Sequence, residues 1–222
     1  MKGLTGNTAQ IFESIKGLDI LKEYLLVGGT ALGIQIGHRL SEDLDFCKWQ
    51  DEPSLKNKKV QWTEIESELK KFGEVRTEIL DFYQVLFYLD EVKLSFYSNG
   101  IANSRDIVSG MSVDNVRIAD LRSLGTMKLE VMSRRFLFRD YYDVYAILRE
   151  GTDIREIIKT CGRYSRHRMK SKMMMSILSN GSLFRYEEDI ELLKPRYKVN
   201  SKDIEAYMRR RISEAYGRGQ VH

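Results

Sequence analysis

The chain has 222 residues, 42% hydrophobic and 31% charged, a balance that suits a soluble globular protein with one good core or two small ones and excludes intrinsic disorder. Its net charge of +4 is unevenly divided: residues 1–116 hold 13 Lys and Arg against 18 Asp and Glu, whereas residues 117–222 hold 23 against 14. An acidic half suited to cations thus precedes a basic half suited to polyanions. No apolar run approaches the roughly 20 residues that span a bilayer, and the stretch MKGLTGNTAQ lacks the apolar core of a secretory signal. A cytoplasmic location without membrane contact is expected. Two distant cysteines, Cys47 and Cys161, suit neither a disulfide framework nor a zinc site, and both are expected as small buried hydrophobes.

In chain order, Thr8–Lys16 reads as a short helix and Tyr24–Val27 as a short apolar strand. Gly28 and Gly29 make the turn after it, and Thr30–His38 forms a second helix with Ala31, Leu32, Ile34 and Ile36 for packing. Leu44–Lys48 is a strand, and Trp62–Phe72 has helical periodicity, closed by Gly73 in the manner of a C-cap. Three extended runs follow, Val75–Leu80, Tyr83–Leu89 and Val92–Tyr97, the last two joined by a tight turn at Asp90-Glu91. After a strand at Asn115–Ile118 the pattern is helical: Ala119–Arg134, Arg139–Glu150, Asp153–Cys161, Ser165–Leu178 and Ser201–Tyr216. No repeat or Pro-rich tract marks a linker, so pattern and charge place an α/β domain at 1–116 and a helical, basic domain at 117–222.

Glycines after a strand let the backbone approach a ligand closely, and the following helix presents unpaired N–H groups and its positive dipole end. Gly28 and Gly29 therefore suit a phosphate, and the Thr30 hydroxyl suits either a helix cap or a phosphate oxygen. Asp43 and Asp45, two apart, point to one face of a strand, where both carboxylates can share hard cations such as Mg²⁺. Two such ions about 4 Å apart can clamp the attacking and leaving oxygens of phosphoryl transfer. Arg39 and Ser41 stand just before the pair and suit a phosphate contact or the orientation of the acids. The absence of GxxxxGK[ST] and GxGxxG speaks against a P-loop or dinucleotide fold.

Gly28-Gly29-Thr30 followed by Arg39-Leu40-Ser41-Glu42-Asp43-Leu44-Asp45-Phe46 closely resembles the first motif of polymerase-β-type nucleotidyltransferases. The likeness is strongest to the AbiEii/AbiGii (MenA-like) toxin family, whose members carry a GG[ST] helix and an RxSxDxD-type strand. Met127-Lys128-Leu129-Glu130, and then Arg134-Arg135 with Arg139-Asp140-Tyr141-Tyr142-Asp143, are similar to the family's later lysine motif and its helical RDxxD motif. The resemblance implies an α+β fold, a mixed-sheet nucleotidyltransferase domain followed by a mostly helical C-terminal domain. It implies an enzyme that transfers NMP from an NTP to an RNA acceptor, the tRNA 3′ end, and acts as the toxin of a toxin–antitoxin or phage-defence system with a cognate antitoxin. Under it, Asp43 and Asp45 would hold Mg²⁺, two ions with the bound NTP, and Gly28, Gly29 and Thr30 would cradle the β and γ phosphates beside Arg39 and Ser41. Lys128 would neutralise triphosphate charge, and Asp143 or Asp140 would orient Lys128 or the nucleotide.

Other readings stay open at this point. Lys128 also suits an exposed helix position, and Arg139 with Asp143 an ordinary i,i+4 surface pair. Tyr141, Tyr142, Val144, Tyr145 and Leu148 suit core rather than a stacking platform. Many polymerase-β-type enzymes carry a third carboxylate on a neighbouring strand; here Ser95 stands where it is expected, and Glu91, Asp81 and Glu78 are the other acids within reach of the pattern. Arg163, Arg166, Arg168, Lys170 and Lys172 form the densest basic cluster. On one helix it would make a charged stripe beside Met173 and Met174, suited to an RNA backbone or simply to water. Two further functions are compatible: a nucleotide- or RNA-binding module with weakened turnover, and transfer to a protein or small-molecule hydroxyl.

Overall fold

A computed structural model describes residues 2–49, 59–99, 106–165 and 169–217 of the chain. It divides into two units, Met1–Asp120 and Leu121–His222. The break falls slightly later than the charge pattern implies, because Val116–Ala119 is a strand of the first unit's sheet.

In the first unit, α1 (Gly6–Ile15) leads to β1 (Leu25–Val27), α2 (Gly28–Ile36), β2 (Leu44–Trp49) and α3 (Trp62–Leu69). Strands β3 (Val75–Asp81), β4 (Gln84–Leu89), β5 (Val92–Asn99), β6 (Ser109–Val113) and β7 (Val116–Ala119) complete it. The seven strands form one mixed sheet in the order β3-β4-β5-β2-β1-β7-β6. All three residues of β1 are buried, as befits a central strand, and it runs antiparallel to β2 but parallel to β7. β2 runs parallel to β5, with Leu44, Asp45 and Phe46 beside Leu94, Ser95 and Phe96. Phe96 anchors the core: it stacks on Phe46 at 4.9 Å and meets Tyr24 and Phe87 edge-on at 5.1 and 5.6 Å. Burying each such ring stabilises the sheet by about 1.5–3 kcal/mol.

Several boundaries differ from the sequence reading. Gly28 and Gly29 open α2 itself rather than a turn before it, and α2 stops at Ile36 because Gly37 takes the left-handed cap conformation at φ 56. Helix α3 ends at Leu69 with a right-handed cap at Lys70, so Gly73 is not its left-handed cap. Gly73 instead lies against Asp90, whose Oδ2 would be 2.7 Å from a Cβ placed there. The Asp90-Glu91 turn has φ 46 and 67, the type I′ geometry that matches strand twist. Strand β6 was unexpected, because SGMSV is mostly exposed and shows no apolar alternation.

The second unit holds α4 (Leu121–Met132), α5 (Phe138–Arg149), α6 (Ile154–Tyr164), α7 (Ser171–Leu178) and α8 (Ser201–Tyr216). Tyr141, Tyr142, Val144, Tyr145 and Leu148 of α5 are all buried. Tyr141 stacks on Phe184 at 4.1 Å and donates its hydroxyl to the Leu178 carbonyl at 2.6 Å. Asn200, one residue before the expected start, caps α8 through a capping box with Asp203. The expected helix Ser165–Leu178 is broken: Ser165 and Lys170 are both extended, at ψ 129 and 142. No single helical stripe therefore joins the basic cluster to the methionines; Met174 is buried and Met173 half-exposed. Cys47 and Cys161 are both buried and outside any disulfide among the described residues, and burial pushes the Cys161 thiol up to about 12. Among the described residues no helix is long and apolar enough to cross a membrane.

Candidate active site

Val27 is both the last residue of β1 and the extended N-cap of α2, and its own side chain makes no capping hydrogen bond. The N–H groups of the first turn therefore lack an intrahelical acceptor and carry the positive end of the dipole. Gly28 adopts φ +74, and a Cβ there would stand 2.4 Å from Asp45 Oδ2. Backbone sign and carboxylate approach both require glycine. At Gly29 a Cβ would stand 2.8 Å from Arg39 Nη2 and 3.0 Å from Ser41 Oγ. The two glycines thus let a carboxylate, a guanidinium and a hydroxyl close on one helix start.

The loop that carries these groups is held from several sides. Ser41 N–H donates to the Gly3 carbonyl at 2.9 Å, and Thr5 N–H to the Ser41 carbonyl at 3.1 Å. Arg39 is 5% exposed and donates Nη1 to the Leu40 carbonyl at 3.0 Å. Thr30 is fully buried; its hydroxyl donates to the Asp43 carbonyl and sits 2.9 Å from Ser41 Oγ. That hydroxyl braces the acidic loop, so what Thr30 can present to a phosphate is its backbone N–H. Asp43 immediately precedes β2, while Asp45 lies on it between Val27 of β1 and Ser95 of β5.

The neighbouring face of β5 holds a lysine and a serine. Lys93 Nζ lies 2.6 Å from Asp43 Oδ2, and Ser95, 6% exposed, stands opposite Asp45. The other acids considered for a third carboxylate are elsewhere. β3 is three strand spacings from β2, about 14 Å; on it Glu78 approaches Arg76 at 3.9 Å, and Asp81 Oδ1 accepts from Tyr83 N–H at 2.6 Å. Glu91 sits in the hairpin turn. Among the described residues no three His, Cys, Asp or Glu gather as a metal site. Two carboxylates still suit Mg²⁺, which keeps waters and takes one or two protein carboxylates plus substrate phosphates.

In the second unit Lys128 is nearly buried on α4, and its Nζ lies 2.8 Å from Asp140 Oδ1 and 2.6 Å from Asp143 Oδ2. Both aspartates are fully buried on α5. Arg135 adds Nε at 2.9 Å from Asp140 Oδ2. Burial alone would push the Asp140 carboxyl up, but Lys128 and Arg135 together hold it below its ordinary value. The alternative of an i,i+4 surface pair between Arg139 and Asp143 is not formed: Asp143 turns inward to Lys128, and Arg139 reaches Glu187 at 2.8 Å. Nor is Lys128 an ordinary exposed helix residue.

The model of one family, "Nucleotidyl transferase AbiEii toxin, Type IV TA system", matches residues 19–217. The chain belongs to this family. Among its relatives is an uncharacterized protein of Aquifex aeolicus (strain VF5), 25% identical over 215 residues, 96% of this chain and 98% of that one. Among solved structures it is similar to MenT4, a nucleotidyltransferase toxin from Mycobacterium tuberculosis H37Rv, with a TM-score of 0.59, 15% identity, and coverage of 93% of this chain and 83% of that one. That likeness shows the fold, the polymerase-β-type nucleotidyltransferase α+β arrangement that the first motif implied.

The protein is thus a nucleotidyltransferase toxin of the type IV toxin–antitoxin class, and the family implies an NTP substrate and an antitoxin. Within the toxin, the structure brings Gly28, Gly29, Thr30, Arg39, Ser41, Asp43 and Asp45 together in the first unit. It gathers Lys128, Asp140 and Asp143 in the second. Of the basic cluster, Arg163, Lys170 and Lys172 are exposed, while Arg166 and Arg168 lie outside the described residues. Lys93 and Arg135 have no role assigned from the sequence, yet Lys93 pairs with Asp43 and Arg135 with Asp140. For Lys93 a signal existed: two-residue spacing puts it on the same face as Ser95. For Arg135 there was none beyond its place beside Arg134.

Proposed function

We propose that the toxin is an Mg²⁺-dependent enzyme that transfers NMP from an NTP to an RNA acceptor, the 3′ end of tRNA, and so arrests translation. The reading is supported by one observation: the Asp45 carboxylate oxygen stands 2.4 Å from where a Cβ of Gly28 would be, so a carboxylate of the Asp43–Asp45 pair lies against the start of α2. In this reading Asp43 and Asp45 would hold Mg²⁺, which when bound supplies charge neutralisation for the triphosphate and the departing pyrophosphate. The N–H groups of Gly28, Gly29 and Thr30 bind the terminal phosphates. Arg39 places positive charge behind Gly29, and Ser41 with the Thr30 hydroxyl keeps the Asp43 loop in register. We assign Lys128 the neutralisation of triphosphate charge, with Asp140 and Asp143 fixing its ammonium. Such a division of labour suits nucleotidyl transfer, which depends on positioning and charge more than on covalent catalysis.

The test is incubation of the toxin with Mg²⁺, each α-labelled NTP and total tRNA. Label is expected in RNA, and Asp43→Asn and Asp45→Asn are each expected to reduce it by about a thousandfold. Label in the protein instead of RNA would show transfer to a protein hydroxyl. Tight nucleotide or RNA binding with no label anywhere would reduce the toxin to a binding module, the reading that Ser95 in place of an acid favours.

A further inference from the structure

The two carboxylates of the first unit face two side chains of β5, and the pairs form two rungs: Lys93 with Asp43, and Ser95 with Asp45. The Lys93 ammonium lies 2.6 Å from Asp43 Oδ2, with the side chains 35% and 44% exposed. A hard cation approaching Asp43 must therefore compete with a charge that the chain itself supplies. Two carboxylates without that charge attract a divalent ion strongly; with it, one of the two is already neutralised, and the ammonium repels the newcomer. An ion pair this exposed is weak and easily exchanged. A triphosphate, with several negative charges, offers the ammonium an alternative partner.

We propose that Lys93 is an internal counter-ion that keeps Asp43 from holding a divalent cation until nucleotide arrives, when its ammonium transfers to a phosphate oxygen and releases the carboxylate to the metal. The proposal rests on the reading of Asp43 and Asp45 as metal ligands. It makes Lys93 a positioning residue that couples metal binding to NTP binding. No bond to carbon or phosphorus changes; one ion pair is exchanged for two.

The test uses the full chain and Mn²⁺, followed by electron paramagnetic resonance of the free ion, with and without a non-hydrolysable NTP analogue. Without nucleotide, Lys93→Met and Lys93→Gln are expected to bind Mn²⁺ about tenfold more tightly than the parent, and Lys93→Arg, which keeps the charge, to bind as the parent does. With Mn²⁺ present, Lys93→Met is expected to bind the analogue several-fold more weakly. Equal Mn²⁺ affinity in the parent, Lys93→Met and Lys93→Gln overturns the proposal, as does equal tightening in Lys93→Arg. Asp43→Asn added to Lys93→Met separates the two levels. If Mn²⁺ binding falls on that addition while Lys93→Met alone equals the parent, only the counter-ion role fails. If Mn²⁺ affinity ignores both Asp43→Asn and Asp45→Asn, the metal reading fails with it. Thermal melts of each variant establish that it is folded, and the Lys93→Gln and Lys93→Met pair guards against a local packing effect of either.

Discussion

A single hydrogen atom at Gly28 decides whether Asp45 can approach the start of α2. A methyl group there would sit 2.4 Å from Asp45 Oδ2 on a backbone of φ +74, so Gly28→Ala must either push the carboxylate away or pull the helix start out of shape. The expected result is a folded protein with transfer activity reduced about a hundredfold or more, since a displacement of about 1 Å at a reacting site costs that much; labelled-tRNA assays beside a thermal melt check it. Residues of this kind were legible because their chemistry is local. The GG-T and D-x-D patterns, and the Lys and RDxxD blocks, each lie within a few residues. Lys93 was only half legible: spacing puts it on the face of Ser95, but its pairing with Asp43 depends on the register of β5 against β2, two strands separated in sequence by α3, β3 and β4. The same holds for Thr30, whose hydroxyl turns to Asp43 in a way that no spacing announces.

Helices α4 and α5 show how an element can be held by charge as well as by apolar packing. Lys128 stands between two fully buried aspartates of α5. Lys128→Met would leave both without it and is expected to cost about 3–5 kcal/mol in urea unfolding, the range for breaking a buried pair from one side. Asp140 has a carboxyl held below its ordinary value, so its contribution is complete above the ordinary carboxylate range and fades as pH falls through the lowered one. The stability gap between parent and Asp140→Asn should therefore be full at neutral pH and close in acid, as urea unfolding at a series of pH values will show. Element existence was readable from periodicity throughout, with β6 the exception because its residues are exposed and polar. Element ends were less so: caps such as Gly37, and the break between α6 and α7, depend on backbone conformation that residue type alone does not specify.

For the whole molecule, charge asymmetry is the property that the proposed RNA acceptor would meet. Residues 117–222 carry 23 Lys and Arg against 14 Asp and Glu, and exposed cations are also stacked on tyrosines, Arg149 and Arg196 over Tyr197 and Arg210 over Tyr207. If about four phosphates are neutralised, tRNA affinity should fall roughly a hundredfold between about 50 and 200 mM salt. A filter-binding titration that finds affinity insensitive to salt would remove RNA from the list of acceptors held by this surface.

The order of the sheet also sets a clock. β1 pairs in parallel with β7, and Leu25 waits for Arg117 at the far end of the unit, just as Leu44 waits for Leu94. Distant parallel pairings close slowly, whereas helices such as α4 to α8 depend on nearer neighbours. The strand that carries Asp45 has its near antiparallel neighbour β1 on one side and the distant parallel strand β5 on the other, so the acidic strand is expected to gain its β5 side late in folding.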